Sequence, residues 1–333
     1  MKLIVLIKYH FLQIRHLKKP VIGLIIVLTI FSCNNNNTYE LRLKDPELFL
    51  SSAKKLTDVI VHDIFSPPVA SRIYAYPNIA AFEVMAVANP DKYKSLSGQL
   101  NGLTNAPKPE NININYNLAS IHAYLEVSKT LIFSEDQIET YQEELYQGLN
   151  EDGLPTSVLE ASLAYGNLIA KHILEWANSD LYKQTRTFPK YSIKKGDSLW
   201  KPTPPDYMEG IEPHWREIRP MTLDSAEQYP PIPSLHFDLN PKSEFYSQLK
   251  EVYDIGISLN EEQREIASFW DCNPYVSHHQ GHAMFATKKI TPGGHWMGIA
   301  AIASRKAGSS IDEAIEAQTL VSIALFDAFI SCW

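Results

Sequence analysis

Apolar residues recur at three- and four-residue intervals along most of the chain, the spacing that lines one face of an α-helix. It predicts helices over 48–64, 69–88, 117–132, 136–149, 156–177, 245–255, 261–270 and 311–333. Strand-like alternation is scarce, and no repeat of solenoid or propeller period is present. Helix-start signals agree with this reading. Ser134-x-x-Gln137 and Ser310-x-x-Glu313 read as capping boxes, and Asn260-x-x-Gln263 as a looser version.

One segment breaks the pattern. Between 182 and 241 stand Pro202, Pro204, Pro205, Pro213, Pro220, Pro230, Pro231 and Pro233, which remove backbone donors and block helix interiors. This stretch is expected to be an irregular crossover. Its aromatics (Trp200, Tyr207, Trp215, Tyr229, Phe237) predict that it packs over the helices. The expected class is all-α: two helical bundles joined by a proline-rich crossover, the second bundle incomplete.

The first 33 residues stand apart from this fold. Lys2, Lys8, Arg15, Lys18 and Lys19 precede an apolar run over 21–31 that matches a signal-peptide core and is too short to span a bilayer. The run ends in Ile30-Phe31-Ser32-Cys33, which resembles the lipobox of bacterial lipoproteins, with Cys33 as the lipid-attachment residue. The resemblance implies an exported protein, lipid-anchored in the bacterial cell envelope and touching the membrane through that anchor. The expected layout is a signal peptide over 1–33, a polar tether over 34–45 and an N-terminal bundle over 46–181. The crossover over 182–241 and the start of a second bundle over 242–333 follow.

Charge narrows the partners. The net charge is −8, and losing the five cations of residues 1–32 takes it to −13. An acidic chain of this kind argues against nucleic acid. At 45% hydrophobic and 20% charged it has the apolar content for a core and no disorder signature. Cys272 and Cys332 lie in apolar helical contexts and read as buried free thiols.

Generic catalytic motifs are missing. There is no G-x-G-x-x-G, no phosphate-binding loop, no G-x-S-x-G and no Glu-x-x-His pair, which argues against nucleotide binding, an α/β-hydrolase and a di-iron bundle. His278 and His282 are four apart and would share a helix face; with His279 or His295 they are the candidates for a three-nitrogen zinc site. Helical histidine pairs are commonly core residues, so the sequence assigns no metal site. Pro292-Gly-Gly-His-Trp296 reads as a turn that restarts a helix, with His295 in its first turn and neutral there. Arg72, opening an apolar helix, would need a buried carboxylate, for which Glu83 and Asp327 are the candidates.

Four stretches together resemble the exported bacterial branch of the vanadium-dependent haloperoxidases, within the type 2 phosphatidic acid phosphatase superfamily. They are 71–83 (Ser-Arg-Ile-Tyr-Ala-Tyr-Pro-Asn-Ile-Ala-Ala-Phe-Glu), the crossover pieces 200–205, 211–215 and 219–221, Pro292-Gly-Gly-His-Trp296 with Ile299-Ala300, and Ala324-Leu-Phe-Asp-Ala-Phe-Ile-Ser-Cys-Trp333. The resemblance implies peroxide-dependent halide oxidation on bound vanadate, or phosphoester cleavage in the same pocket. In the family the last stretch is followed by a Lys, an Arg-Pro, a Ser-Gly-His-like segment and an Arg with a trailing His, which hold the oxyanion. None of these motifs can be placed after the last stretch, because the sequence ends at Trp333, so no catalytic or cofactor-binding residue carries over, and the expectation is a truncated chain that binds no vanadate.

The last helix agrees with that expectation. From 314 to 333 it is almost wholly apolar and reaches Trp333 without a cap. Either a homo-oligomer or a missing C-terminal segment is expected to cover it. Two readings of other classes stand beside the enzyme: a non-catalytic helical surface lipoprotein binding a glycan or protein partner, and a zinc hydrolase on the histidines above.

Overall fold

The computed structural model describes residues 38–333 apart from 111, 205, 206, 275, 281 and 282; for 276–280 and 283–287 it describes the backbone. The signal-peptide and Cys33 expectations fall outside the described residues. Eleven helices and one strand pair follow in order: α1 (Thr38–Lys44), α2 (Pro46–Asp63), α3 (Pro67–Ala88), α4 (Tyr116–Leu131), α5 (Glu135–Glu151), α6 (Thr156–Ala177), α7 (Tyr182–Thr185), α8 (Glu244–Ser258), α9 (Glu261–Trp270), β1 (Val276–Gln280), β2 (Ala283–Thr287), α10 (Pro292–Ala307) and α11 (Ile311–Cys332). A 3-10 turn, Trp215–Glu217, interrupts the crossover. The fold is all-α, as expected.

Local chemistry sets the helix boundaries. Asp45 caps α2 by accepting the Glu47 N–H at 2.9 Å, with Pro46 supplying a pre-set φ at the first helical position. Asn115 caps α4 through the Leu118 N–H at 3.1 Å. Asn260 and Gln263 form the full reciprocal capping box on α9, and Glu313 accepts from the Ser310 N–H at 2.9 Å at the start of α11. Ser134 departs from expectation: its hydroxyl and backbone N–H both go to Asp63, at 2.5 and 3.0 Å, so it ties α5 to the end of α2 and caps nothing. The expected tether also differs, because from Thr38 it winds into α1 and buries Leu43 completely.

Helix α3 is the centre of the core. Every residue from Pro68 to Ala86 is buried, enclosed by α4, α6 and α11, with α10 beside it. Ile73, Ile79 and Val84 each contribute about 1.5–3 kcal/mol by burial, with the Tyr74 and Tyr76 rings buried beside them. Pro77 sits inside it and cannot donate to the turn above; next to it, the Asn78 side chain donates to Tyr74 O at 2.9 Å, and Thr319 of α11 donates to Asn78 O at 3.0 Å. Helix α11 is the one helix among the described residues long and apolar enough to cross a membrane. Here it is a core helix on one side, burying Ile315, Ile323, Phe326 and Ile330. Leu320, Ala324 and Ala328, spaced by four, face outward.

The crossover docks less completely than its aromatics predict. Trp215 is fully buried, edge-on to Tyr182 and to Phe326 of α11. Trp200, Tyr207 and Tyr229 are exposed.

Candidate functional site

The chemistry-bearing side chains gather in three places. The first is where the crossover leaves α6. Arg72 of α3 is buried, and its Nε donates to Asp180 Oδ2 at 2.7 Å while Nη2 donates to Ala177 O at 3.2 Å. Its guanidinium lies between the rings of Tyr76 (4.9 Å) and Tyr182 (4.5 Å). The Tyr76 hydroxyl donates to the same carboxylate oxygen at 2.9 Å; burial first, and Asp180 second, keep that phenol protonated. The expected partners of Arg72, Glu83 and Asp327, are both engaged elsewhere. Glu83 accepts from the Ser95 hydroxyl and the Leu96 N–H, each at 2.7 Å, and burial raises its pKa despite those bonds.

Asp180 is the residue that sequence reasoning missed. It stands three residues past the end of α6, where Oδ1 accepts the Tyr182 N–H at 2.9 Å and Leu181 takes a left-handed φ of 73°. The sequence signal was Asn178-Ser-Asp180, a cluster of turn formers right after an apolar helix. Two further arginines join this corner. Arg219 covers the Trp176 ring at 4.5 Å and donates to Trp176 O, the Ser179 hydroxyl and the Tyr76 hydroxyl. Arg186 stacks on Tyr182 and pairs with Glu212.

The second place is a strap of the crossover, residues 219–223. Asp327 of α11 accepts the backbone N–H groups of Met221 (2.6 Å), Thr222 (2.8 Å) and Leu223 (3.3 Å), and the Thr222 hydroxyl at 2.5 Å. From the other side, Asn101 donates to Pro220 O and Leu223 O. The strap over 219–223 is therefore held on both flanks.

The third place is the start of α10. Thr291 caps this helix by accepting the Gly294 N–H at 3.1 Å, which puts His295 in the first turn as expected. Its ring stacks on Trp270 at 5.0 Å with 8° between planes, and Phe269 meets it edge-on. His295 Nδ1 lies 3.2 Å from Cys272 Sγ. Burial, and after it the charge of Asp271, pushes the Cys272 thiol up, so the thiol stays protonated. Neither described cysteine is fully buried, against expectation: Cys272 is partly exposed and Cys332 exposed, both as free thiols.

The helix expected around His278 is not found. His278 and His279 lie on β1, which pairs antiparallel with β2, His278 opposite Phe285 and His279 opposite Met284. His282 falls outside the described residues. Among those described, no group of three or more His, Cys, Asp or Glu side chains is arranged to hold a metal ion.

Vanadate carries negative charge on several oxygens and needs converging, uncommitted cations and N–H donors. The described residues do not fit it. Arg72 is spent on Asp180, Arg186 on Glu212, Arg305 on Glu47 and Lys92 on Asp312, and Arg219 is wrapped in neutral acceptors. The groove of about 290 Å³ between α2 and α10 is apolar, lined by Leu50, Tyr74, Ile290, Met297 and Ala301, and its rim charges Lys54 and Arg305 are already paired.

No family model and no curated protein matches this chain. A solved structure does. It is described as the crystal structure of the first bacterial vanadium-dependent iodoperoxidase, and it is 50% identical, with a TM-score of 0.80, over 86% of this chain and 68% of its own. The chain belongs to the vanadium-dependent haloperoxidases.

Proposed function

We propose that residues 38–333 are the helical scaffold of a peroxide-dependent halide oxidase, and that the 333-residue chain by itself binds no vanadate and does not turn over. The observation carrying this reading is the commitment of the buried and cleft-side cations: each already has a carboxylate or carbonyl partner, so no oxyanion pocket is left open among the described residues. Vanadate, when held by a member of the family, would activate peroxide toward halide. This chain's own contribution is the shell: α3 and α11 with the strap they fix.

The test uses the purified chain with orthovanadate, hydrogen peroxide and iodide or bromide, read as triiodide absorbance or brominated product, with vanadate binding followed separately by ⁵¹V NMR. No product and an unshifted vanadate signal are expected. Product formation above the protein-free control overturns the reading.

We further propose that the chain is exported and lipid-anchored through Cys33, on the strength of the basic start, the apolar run and the Ile30-Phe31-Ser32-Cys33 ending. Labelling with radioactive palmitate in bacteria checks it. Label that survives Cys33→Ser counts against it.

A further inference from the structure

The groove between α2 and α10 exists because of what α10 lacks. Gly294, Gly298 and Ala301 follow one another at spacings of four and three, so they share one face of that helix. A Cβ on Gly298 would meet open space. Helix α2 lines the same groove with Leu50, Ala53 and Thr57, and the space holds about 290 Å³. That is roughly twice an apolar cavity of about 150 Å³ that takes up benzene.

The group at the floor separates this groove from a mere packing gap. Gln318 of α11 lines it and is fully buried. Its Nε2 donates to Met297 O at 3.1 Å, which fixes the orientation of the amide, since Oε1 in that place would face another acceptor. Oε1 is left buried with no donor. Buried polar atoms are nearly always paired, so this oxygen marks a place where a donor is due.

The neighbouring polar groups narrow what that donor belongs to. Tyr74 donates its hydroxyl proton to Thr57 at 3.3 Å, and Thr57 donates on to Ala53 O at 3.1 Å, so both oxygens keep only acceptor capacity. Burial holds the Tyr74 phenol protonated. At the rim, Lys54 and Arg305 are engaged by Asp58 and Glu47. An anionic ligand would find acceptors below it and carboxylates beside it. A cationic one would bury its charge over a floor without a carboxylate. We propose that this groove binds a compact, neutral, apolar molecule carrying one hydroxyl, which donates its proton to Gln318 Oε1. The structure closes that oxygen to water, so entry shifts the Met297 side chain, which is unbranched and lines the same groove. The site is independent of the scaffold reading above.

The experiment titrates the purified 333-residue chain with 2-naphthol, a two-ring probe with one hydroxyl, followed by calorimetry and amide exchange. One-to-one binding with slowed exchange in α10 is expected. 2-Methoxynaphthalene has no proton to give and should bind about tenfold more weakly, the worth of one hydrogen bond. The anion 2-naphthoate should bind more weakly still. Gly298→Leu fills the groove from a position with room for the side chain, so it should weaken 2-naphthol by about tenfold or more without lowering the thermal midpoint. Gln318→Met should bring 2-naphthol and 2-methoxynaphthalene to the same affinity, and Gly298→Leu keeps the test decisive if that core variant does not fold. Absence of 2-naphthol binding overturns the proposal, as does equal binding of the methyl ether by the parent, or binding untouched by Gly298→Leu. Sedimentation of the chain as a dimer with α10 already protected would assign the groove to a second copy and overturn it too.

Discussion

The carboxylate of Asp327 lies 2.6 Å from the backbone nitrogen of Met221, more than a hundred residues earlier in the chain. It accepts from two more backbone N–H groups in the same strap, as a charged cap would at a helix start. Asp327→Ala leaves these donors without a partner and should cost about 1.5–3 kcal/mol in urea unfolding. Limited proteolysis should then cut first near 219–223. A variant with parental stability and an uncut strap would refute this role.

Asp180→Asn is expected to be more damaging, because it leaves the Arg72 charge buried without a counter-ion. The loss should be about 3–5 kcal/mol. Pairing Arg72→Met with Asp180→Leu removes both charges and should recover most of it. If the double variant is no better than Asp180→Asn, the charge imbalance is not the cause.

Two glycines in helices should respond in opposite directions. A Cβ on Gly166 of α6 would meet Ala119 O at 2.8 Å and His122 Cδ2 at 2.9 Å, so α4 and α6 would have to move apart. Gly166→Ala should destabilise by about 1–3 kcal/mol. Gly298 of α10 has open space at the same position, and Gly298→Ala should stabilise by about 0.5–1 kcal/mol by restricting the unfolded chain. Thermal melts of the two variants decide it; shifts of the same sign would contradict the packing described.

Acid should weaken the α4–α5 contact through His122. Burial lowers its pKa below the ordinary 6.5, outweighing the opposing pull of Glu126. The neutral ring is bonded to the Tyr146 hydroxyl at 2.6 Å, and Gln142 spans from there to Glu126. The unfolded chain therefore binds this proton more readily than the native one. The stabilisation is complete above the unfolded value and drains away as pH falls below it toward the depressed native value. Unfolding free energies taken from about pH 7.5 to about pH 5.5 should fall more steeply for the parent than for His122→Gln. Parallel slopes would rule the histidine out.

The long helices were legible because their apolar positions repeat over four or more turns: α6 is expected and found at 156–177, and α9 at 261–270. Short elements carry too few turns to show a period. The sequence of α1 reads as tether although Leu43 anchors it, and the His spacing suggests a helix where 276–280 and 283–287 pair as antiparallel strands. The Arg72–Asp180 pair was illegible for another reason. Its members are 108 residues apart, and Asp180 sits in a turn whose composition says only that the helix has ended. Asp327 stands out in the sequence as a candidate carboxylate, but its partners are mostly backbone N–H groups, which leave no mark on side-chain sequence.

The enclosure of α3 has a consequence during synthesis. Its neighbours α4 and α6 leave the ribosome soon after it, but α11 follows only about 130 residues beyond α6. At about 5–20 residues per second, one flank of α3 stays wet for on the order of 10 s. Over that interval the strap at 219–223 has no Asp327 to hold it, and the nascent chain presents a greasy furrow beside a loose, cleavable ribbon. A holding chaperone that binds apolar stretches should associate with translation intermediates ending before residue 311 and release those that include α11.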